Sequence, residues 1–435
     1  LAVNLTIVFL ADLQSVSLGM LFGYVFVEVE KLDYPMGKVQ ASVISTLSER
    51  TEEHMKIFIF SIIVGAGLGI AVYAPQIIGS TIIPLPWADF TSITQDFIPG
   101  AIIGLSTDPF GYVTGMIIPI NVAVCALISS IIVYVLMNNL LLTTFSDVFP
   151  RWREEFYYGM NIAAIQYRSY LRIWLPVQFG MTIGMALLYI VVIRKDIYRS
   201  MKLLLRATRT GERSDFPSLS IIFGLFLASS LASCFTYIYL VPGYNPFLVV
   251  TVSLGYSFLA SLISARALGI GAVSPTIAWP WRIVTYFSGY KGFTGWDSSP
   301  AIETGLSAQI VQAFKVARLT GTRLMDYLKM LTIGYVSALL LNLFFYDFFW
   351  RIAPIPSSVY PFTLMYWPQY MLEVLMFSTG QIIIEPHVIL LSIICAMIVV
   401  AIETGLKRFR IPFSAMGFMI GVFQIPPYTL SLIHI

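Results

Sequence analysis

The sequence predicts an all-α, polytopic membrane protein of about ten transmembrane helices, with re-entrant hairpins and two repeat-related halves. Two observations carry this fold class. Of the residues, 57% are hydrophobic and only 11% are charged, with a mean hydropathy of +0.81, which is more apolar surface than a soluble domain can bury. Apolar runs recur along the whole chain, and at roughly 20 residues per crossing its 435 residues hold about ten.

Nine runs are long enough to span: 1 to 27, 55 to 78, 112 to 137, 173 to 193, 219 to 241, 246 to 265, 328 to 352, 384 to 404 and 411 to 435. The stretch 194 to 213 carries seven basic residues from Arg194 to Arg213, and Lys407, Arg408 and Arg410 crowd another connection, so both are predicted cytoplasmic. For the polar segment 28 to 54 to share that side, an odd number of crossings must lie between 79 and 111. That predicts a tenth span near 91 to 110, despite Asp96 and Pro99. The chain then divides into a first half at 1 to 193, a basic linker at 194 to 218 and a second half at 219 to 435. Both ends fall inside apolar runs, which predicts a fragment of a longer protein; the closing Ser431 to Ile435, His434 included, carries little weight.

Two apolar segments suit a straight helix badly: 271 to 300, with Pro275, Pro280 and Pro300, and 353 to 383, with Pro354, Pro356, Pro361 and Pro368. Such backbone survives at membrane depth only where protein or a water-filled cavity satisfies it, so re-entrant hairpins are expected. Interfacial loops are the other reading; Trp279, Trp281, Tyr286 and Trp296 either line a path or, the favoured reading, anchor the segment at the headgroup level.

The chain also repeats itself. Gly37 begins a polar segment leading into the span at 55 and then Pro84-Leu85-Pro86; Gly305 begins a similar one leading into the span at 328 and then Pro354-Ile355-Pro356. Pro109-Phe110 and Pro412-Phe413 each open a later span broken by proline, at Pro119 and at Pro426-Pro427. Proline-broken segments at matching positions are the best sequence pointer to a transporter site.

Other chemistries find little support. Cys125, Cys234 and Cys395 lie in apolar runs, and His54, His387 and His434 are scattered, so neither a disulfide nor a metal site is expected. No hydrolase or nucleotide-binding motif stands in a suitable context, and neither a cofactor nor a nucleic-acid partner is implied.

Several motifs together resemble the oligopeptide transporter superfamily. Glu28-Val29-Glu30-Lys31-Leu32-Asp33-Tyr34-Pro35-Met36-Gly37 is similar to that family's acidic, proline-containing stretch ahead of a small-residue helix. Ser106-Thr107-Asp108-Pro109 running into Gly115 to Pro119 resembles its broken helix, and Gly421 to Pro427 a closing copy. Gln312 to Arg323 is similar to its basic cytoplasmic helix. Met36, Lys38-Val39-Gln40 and Ala317 depart from the pattern, which places the chain on a divergent, prokaryote-like branch. The resemblance implies a secondary transporter of the cell membrane that takes up oligopeptides or related small molecules, such as metal chelates, coupled to a cation, usually a proton.

Residues for such a task are sought among polar groups at breaks and acids inside spans. Asp108 reads both as an N-cap before Pro109 and as part of a helix-terminal substrate site. Asn121, Gln424 and Tyr428 flank the prolines of the two broken spans and complete the candidate substrate-binding set. For proton coupling, Asp12 has no basic residue within two turns, with Arg266 as the distant partner to check, and Glu385 and His387 open another span. Asp347 with Arg351 and Glu403 with Lys407 read as interfacial ion pairs. A channel and a membrane-embedded enzyme are the competing classes; the repeat favours a carrier over the first, and no catalytic constellation is visible for the second.

Single cysteines in the 194 to 213 and 406 to 410 connections should label from the same membrane face with an impermeant thiol reagent. Labelling from opposite faces would mean that the crossings between them are miscounted.

Overall fold

A computed structural model of the protein describes residues 2–77, 83–192, 194–195, 198, 202, 217–271 and 280–433. Most of the basic connection 194 to 213, together with Pro275, Trp279 and His434, lies outside the described residues. Among these residues eight helices are long and apolar enough to cross a membrane: Leu5–Val29, Glu52–Pro75, Ile120–Thr143, Ile162–Val192, Leu219–Leu240, Pro246–Gly271, Leu324–Ile352 and Pro386–Arg408. They are called spans one to eight below. The chain is an all-α, multi-pass membrane protein, and each of these spans overlaps one of the nine predicted runs.

The other two predicted crossings are not single helices. Residues 83 to 119 form a hairpin of two three-residue strands, Trp87–Asp89 and Gly104–Ser106, that enclose the short helix Thr91–Thr94 and a run of turns and lead to the seven-residue helix Pro109–Gly115. The physical reason lies in the polar residues of the segment. Asp89 accepts from the N–H groups of Thr91 and Ile162, each at 2.8 Å, and Gln95 bridges the backbone of Gly159 and Met160, while Gly100 takes a left-handed φ of 78°. These side chains satisfy an irregular backbone that hydrocarbon could not. The last predicted run is likewise split, into Ala415–Phe423 and Pro426–Ser431 about an extended Gln424.

The two proline-rich segments also differ from simple hairpins. Pro361–Ser378 is one helix of 18 residues with Pro368 inside it. Pro280–Ser288 is followed by turns and an extended stretch that reaches the helix Leu306–Leu319. Two of the expected headgroup anchors are core residues instead: Trp281 is buried and stacks on Tyr244, and Trp296 is buried and packs against Phe377. A buried ion pair, Arg282 to Glu373 at 3.3 Å, ties the two segments together, and Tyr167 donates to the same carboxylate at 2.8 Å.

Glycines set the closest helix contacts. Spans four and eight run parallel, with Gly180 against Ile389 and Gly184 against Ile393, and Tyr189 donates to Glu403 at 2.9 Å near their shared end. Helix Ala415–Phe423 lies against span three through Gly417 and Gly421. Span one lies along Leu306–Leu319 through Gly19 and Gly23. Close approach of this kind replaces the hydrophobic drive that helices lack in lipid. Spans two and seven, by contrast, expose nearly all of their side chains.

A Cβ at Gly421 would sit 2.0 Å from Ala126 O and Ser129 Oγ, whereas one at Gly65 in span two meets nothing within 4 Å. Gly421→Ala is therefore expected to destabilise by about 1–3 kcal/mol or more, as overpacking does, and Gly65→Ala to be neutral or mildly stabilising. Thermal unfolding in detergent checks this; equal losses for both would contradict the packing.

Candidate functional site

Three irregular segments converge on one open cavity of about 560 Å³, bringing Asp108 to Thr114 from the first break, Phe423 to Tyr428 from the second, and Thr304, Gly305 and Gln309 from the stretch before and into Leu306–Leu319. Its volume falls in the usual range for small-molecule sites. A larger hollow of about 710 Å³ lies in the crook between Pro35–Glu49 and span two, but part of its wall is the outward face of that span.

Asp108 is extended, with φ −77° and ψ 116°, and its Oδ1 accepts from the Phe110 N–H at 3.0 Å and from the Tyr73 hydroxyl at 3.1 Å. It is thus a true N-cap. The helix that it caps has only seven residues and gives the Phe110 N–H to Asp108 itself. The predicted helix-terminal seat for a substrate carboxylate is therefore not what the geometry offers. The cavity instead receives a carboxylate, which suits a protonated amine.

Gln424 is reached because the chain is extended there, at φ −124° and ψ 134°, before Pro426-Pro427 restart a helix. Tyr428 is steadied edge-on against Trp87 with ring centroids 5.6 Å apart. Asp108, Gln424 and Tyr428 line the cavity together, and Asn121, on the first turn of Ile120–Ile131, is not among its lining residues. Thr304, Gln309 and Gln166 complete the polar lining without having been singled out in the sequence.

The residues predicted to couple protons lie elsewhere. Asp12 lines a separate cavity of about 250 Å³ with Tyr335, against Leu306 and Ile310. A hollow of about 490 Å³ shares Gln309 with the first cavity and Leu306 and Ile310 with Asp12's, so the helix Leu306–Leu319 is a wall common to all three. Arg266 does not meet Asp12; it lies 2.5 Å from Glu30 and over the ring of Tyr189. Glu385 and His387 are exposed, 3.6 Å apart at the start of span eight, and do not line the cavity. The two ion pairs expected from i,i+4 spacing are present, Asp347 with Arg351 at 2.6 Å and Glu403 with Lys407 at 3.3 Å.

The acidic stretch and the basic helix of the family resemblance are brought into contact. Arg318 lies 2.5 Å from Glu28, Lys315 Nζ donates to Leu32 O at 2.7 Å, and Gln312 donates to Gln40 at 3.2 Å. Burial pushes the Lys315 ammonium below its ordinary range, while Asp33 and Glu28 oppose the shift. Tyr34, fully buried, donates to Ala265 O at 2.9 Å and so fastens the same stretch to span six.

No family model matches this chain, and searches of the curated proteins and of the solved structures return no match either.

Proposed function

We propose that the protein is a secondary active transporter of the cell membrane that takes up oligopeptides or related small molecules, metal chelates among them, with a cation, in the first place a proton, as the driving partner. The observation that carries this reading is the meeting of three irregular segments at one open cavity of mixed polar and apolar lining in a protein of apolar spans. Backbone of that kind is tolerated in a membrane where it lines a hydrated path. The same order of elements in 37 to 86 and 305 to 356, a polar helix followed by a span and a Pro-x-Pro turn, supports two repeat-related halves and hence a carrier rather than a pore.

In this reading Asp108 pairs with the substrate's protonated amine, Gln424, Gln309 and Thr304 supply neutral hydrogen bonds to its amide groups, and Tyr428 gives a flat face with a polar tip. The likeness of the Glu28 to Gly37 and Gln312 to Arg323 motifs to the oligopeptide transporter superfamily points to the same substrate class.

Reconstituted protein should show saturable exchange of a labelled di- or tripeptide across vesicles. Asp108→Asn should keep the cap geometry and fold but weaken uptake at low substrate about 10- to 100-fold, since a hydrogen bond to a charged group contributes about 1.5–3 kcal/mol. Native uptake in that variant would remove Asp108 from the site. Conduction without substrate exchange would replace the carrier by a channel.

A further inference from the structure

Ahead of the helix Leu306–Leu319, residues 298 to 305 run as non-helical chain packed among spans one, five and six. Serines of spans five and six stitch it in place. The Ala301 N–H donates to Ser233 Oγ at 2.6 Å, Ser253 Oγ donates to Ala301 O at 2.7 Å, and the Glu303 N–H donates to Ser257 Oγ at 3.1 Å. Gln14 of span one donates to Ser230 Oγ at 2.8 Å and to Ser253 O at 2.9 Å, and Ser261 donates to Ser307 Oγ at 2.6 Å. Each of these serines is fully buried.

Glu303 is the one acid in this network, and it is 3% exposed. Its Oε1 accepts from the N–H groups of Gly305 at 2.6 Å and Ser307 at 3.1 Å, while Oε2 has no hydrogen-bond partner. Gln14 Oε1, also in the network, is a second buried acceptor without a donor. Two buried acceptors of the network are thus left without a donor.

The groups that face Glu303 do not supply a positive charge. Span six turns Tyr256 toward it together with Ser257, and span one brings Ser15. The other acid on that face of span one is Asp12, which lies against Leu306 and Ile310. Span five contributes hydroxyls, and the helix Leu306–Leu319 contributes Ser307 and no basic residue before Lys315. Among the described residues no lysine, arginine or histidine pairs with Glu303. An ionised carboxylate left so is costly, and neutralisation by a bound proton is the usual relief.

We infer that Glu303 is a proton-binding site, taking the proton on Oε2, and that its protonation is felt in the substrate cavity through Thr304 and Gly305. The link is covalent and short, because those two residues line the cavity while the Gly305 N–H is held by the Glu303 carboxylate. Ionised, the carboxylate grips the turn at Gly305, which takes a left-handed φ of 107° as N-cap of the helix and whose N–H, preceding the first helical turn, has no helical acceptor. Protonated, it is a weaker acceptor, and the cavity wall at Thr304 and Gly305 is released. The coupling half of this inference rests on the transporter reading above; the proton site does not.

Two measurements separate them. In infrared difference spectra between acid and alkaline pH, the native protein should show the carbonyl band of a buried protonated carboxylic acid, and Glu303→Gln should lack that band. In vesicles, Glu303→Gln should keep dipeptide exchange within about threefold of native yet lose accumulation driven by an imposed pH gradient. Glu303→Asp, which retains the acid on a shorter arm, should keep the band and the coupling with a shifted pH profile, and it serves if the amide fails to fold. An unchanged band in Glu303→Gln overturns the proton site. Undiminished gradient-driven accumulation in that variant overturns the coupling. Absence of any dipeptide exchange in the native protein would sink the transporter reading, while loss of the band in Glu303→Gln would still uphold the proton site.

Discussion

A bilayer interior offers no water to a peptide group, so every N–H and C=O that leaves a helix must find a partner within the protein. That constraint organises this molecule. Where the chain stays helical it needs nothing more, as in spans two and seven, which stand at the edge with almost every side chain outward. Where the chain departs from helix, side chains have been placed to receive it. Asp89 and Gln95 hold the hairpin before Asp108, and serines on spans five and six hold the stretch before Leu306. The irregular segments are thus held largely by side chains from neighbouring elements, and all three come together at one cavity.

Charge follows the same logic. The buried arginine–carboxylate pairs Glu30 with Arg266 and Glu373 with Arg282 join elements distant in sequence, and the more exposed pair of Glu28 with Arg318 does the same. Removing one member would leave the other desolvated, a cost of about 3–5 kcal/mol in buried settings. Several of these contacts gather near one end of the bundle. Glu30 closes span one, Arg266 lies near the end of span six, and Tyr189 and Glu403 near the ends of spans four and eight, with the Arg266 guanidinium over the Tyr189 ring at 4.9 Å. These four helix ends therefore share a membrane face. The acidic stretch after span one and the basic residues of Leu306–Leu319 meet there as well, which explains why two motifs nearly three hundred residues apart both carry charge.

The eight spans were legible because composition and length decide them, and local ion pairs were legible because i,i+4 spacing fixes who meets whom. Proline and glycine marked where helices break, which is why Asp108, Gln424 and Tyr428 could be singled out. Partners across the bundle were not legible. Nothing in the spacing of Arg266 says that Glu30 will reach it before Asp12 does, and Trp281 reads as an interfacial anchor until its neighbours Tyr237 and Tyr244 are seen around it. Glu303 carried a usable signal, since its nearest basic residues are Lys291 and Lys315. The same criterion selected Asp12. At Glu303 that signal is masked, because a proline-rich stretch does not read as membrane interior.

The contrast between the edge and the centre of the bundle bears on how such a protein would move. Spans two and seven follow the two polar helices Pro35–Glu49 and Leu306–Leu319, and each leads into a Pro-x-Pro turn, the first followed by the irregular hairpin before Asp108 and the second by the helix Pro361–Ser378. Tyr73 of span two donates to Asp108, so the first of these edge helices is tied to a residue that lines the cavity. The helix Leu306–Leu319, which leads into the other, forms the wall shared by all three hollows and begins at the residues that Glu303 holds. A loosely packed span can shift at small energetic cost because it gives up few buried contacts. A displacement of span seven would therefore be resisted mainly at its N-terminal attachment, where helix Leu306–Leu319 is pinned by Gly19 and Gly23 against span one and by the Glu303 carboxylate at its first turn. Of those restraints, only the carboxylate changes strength with protonation, which makes that turn the point at which a proton could bias the position of the cavity wall.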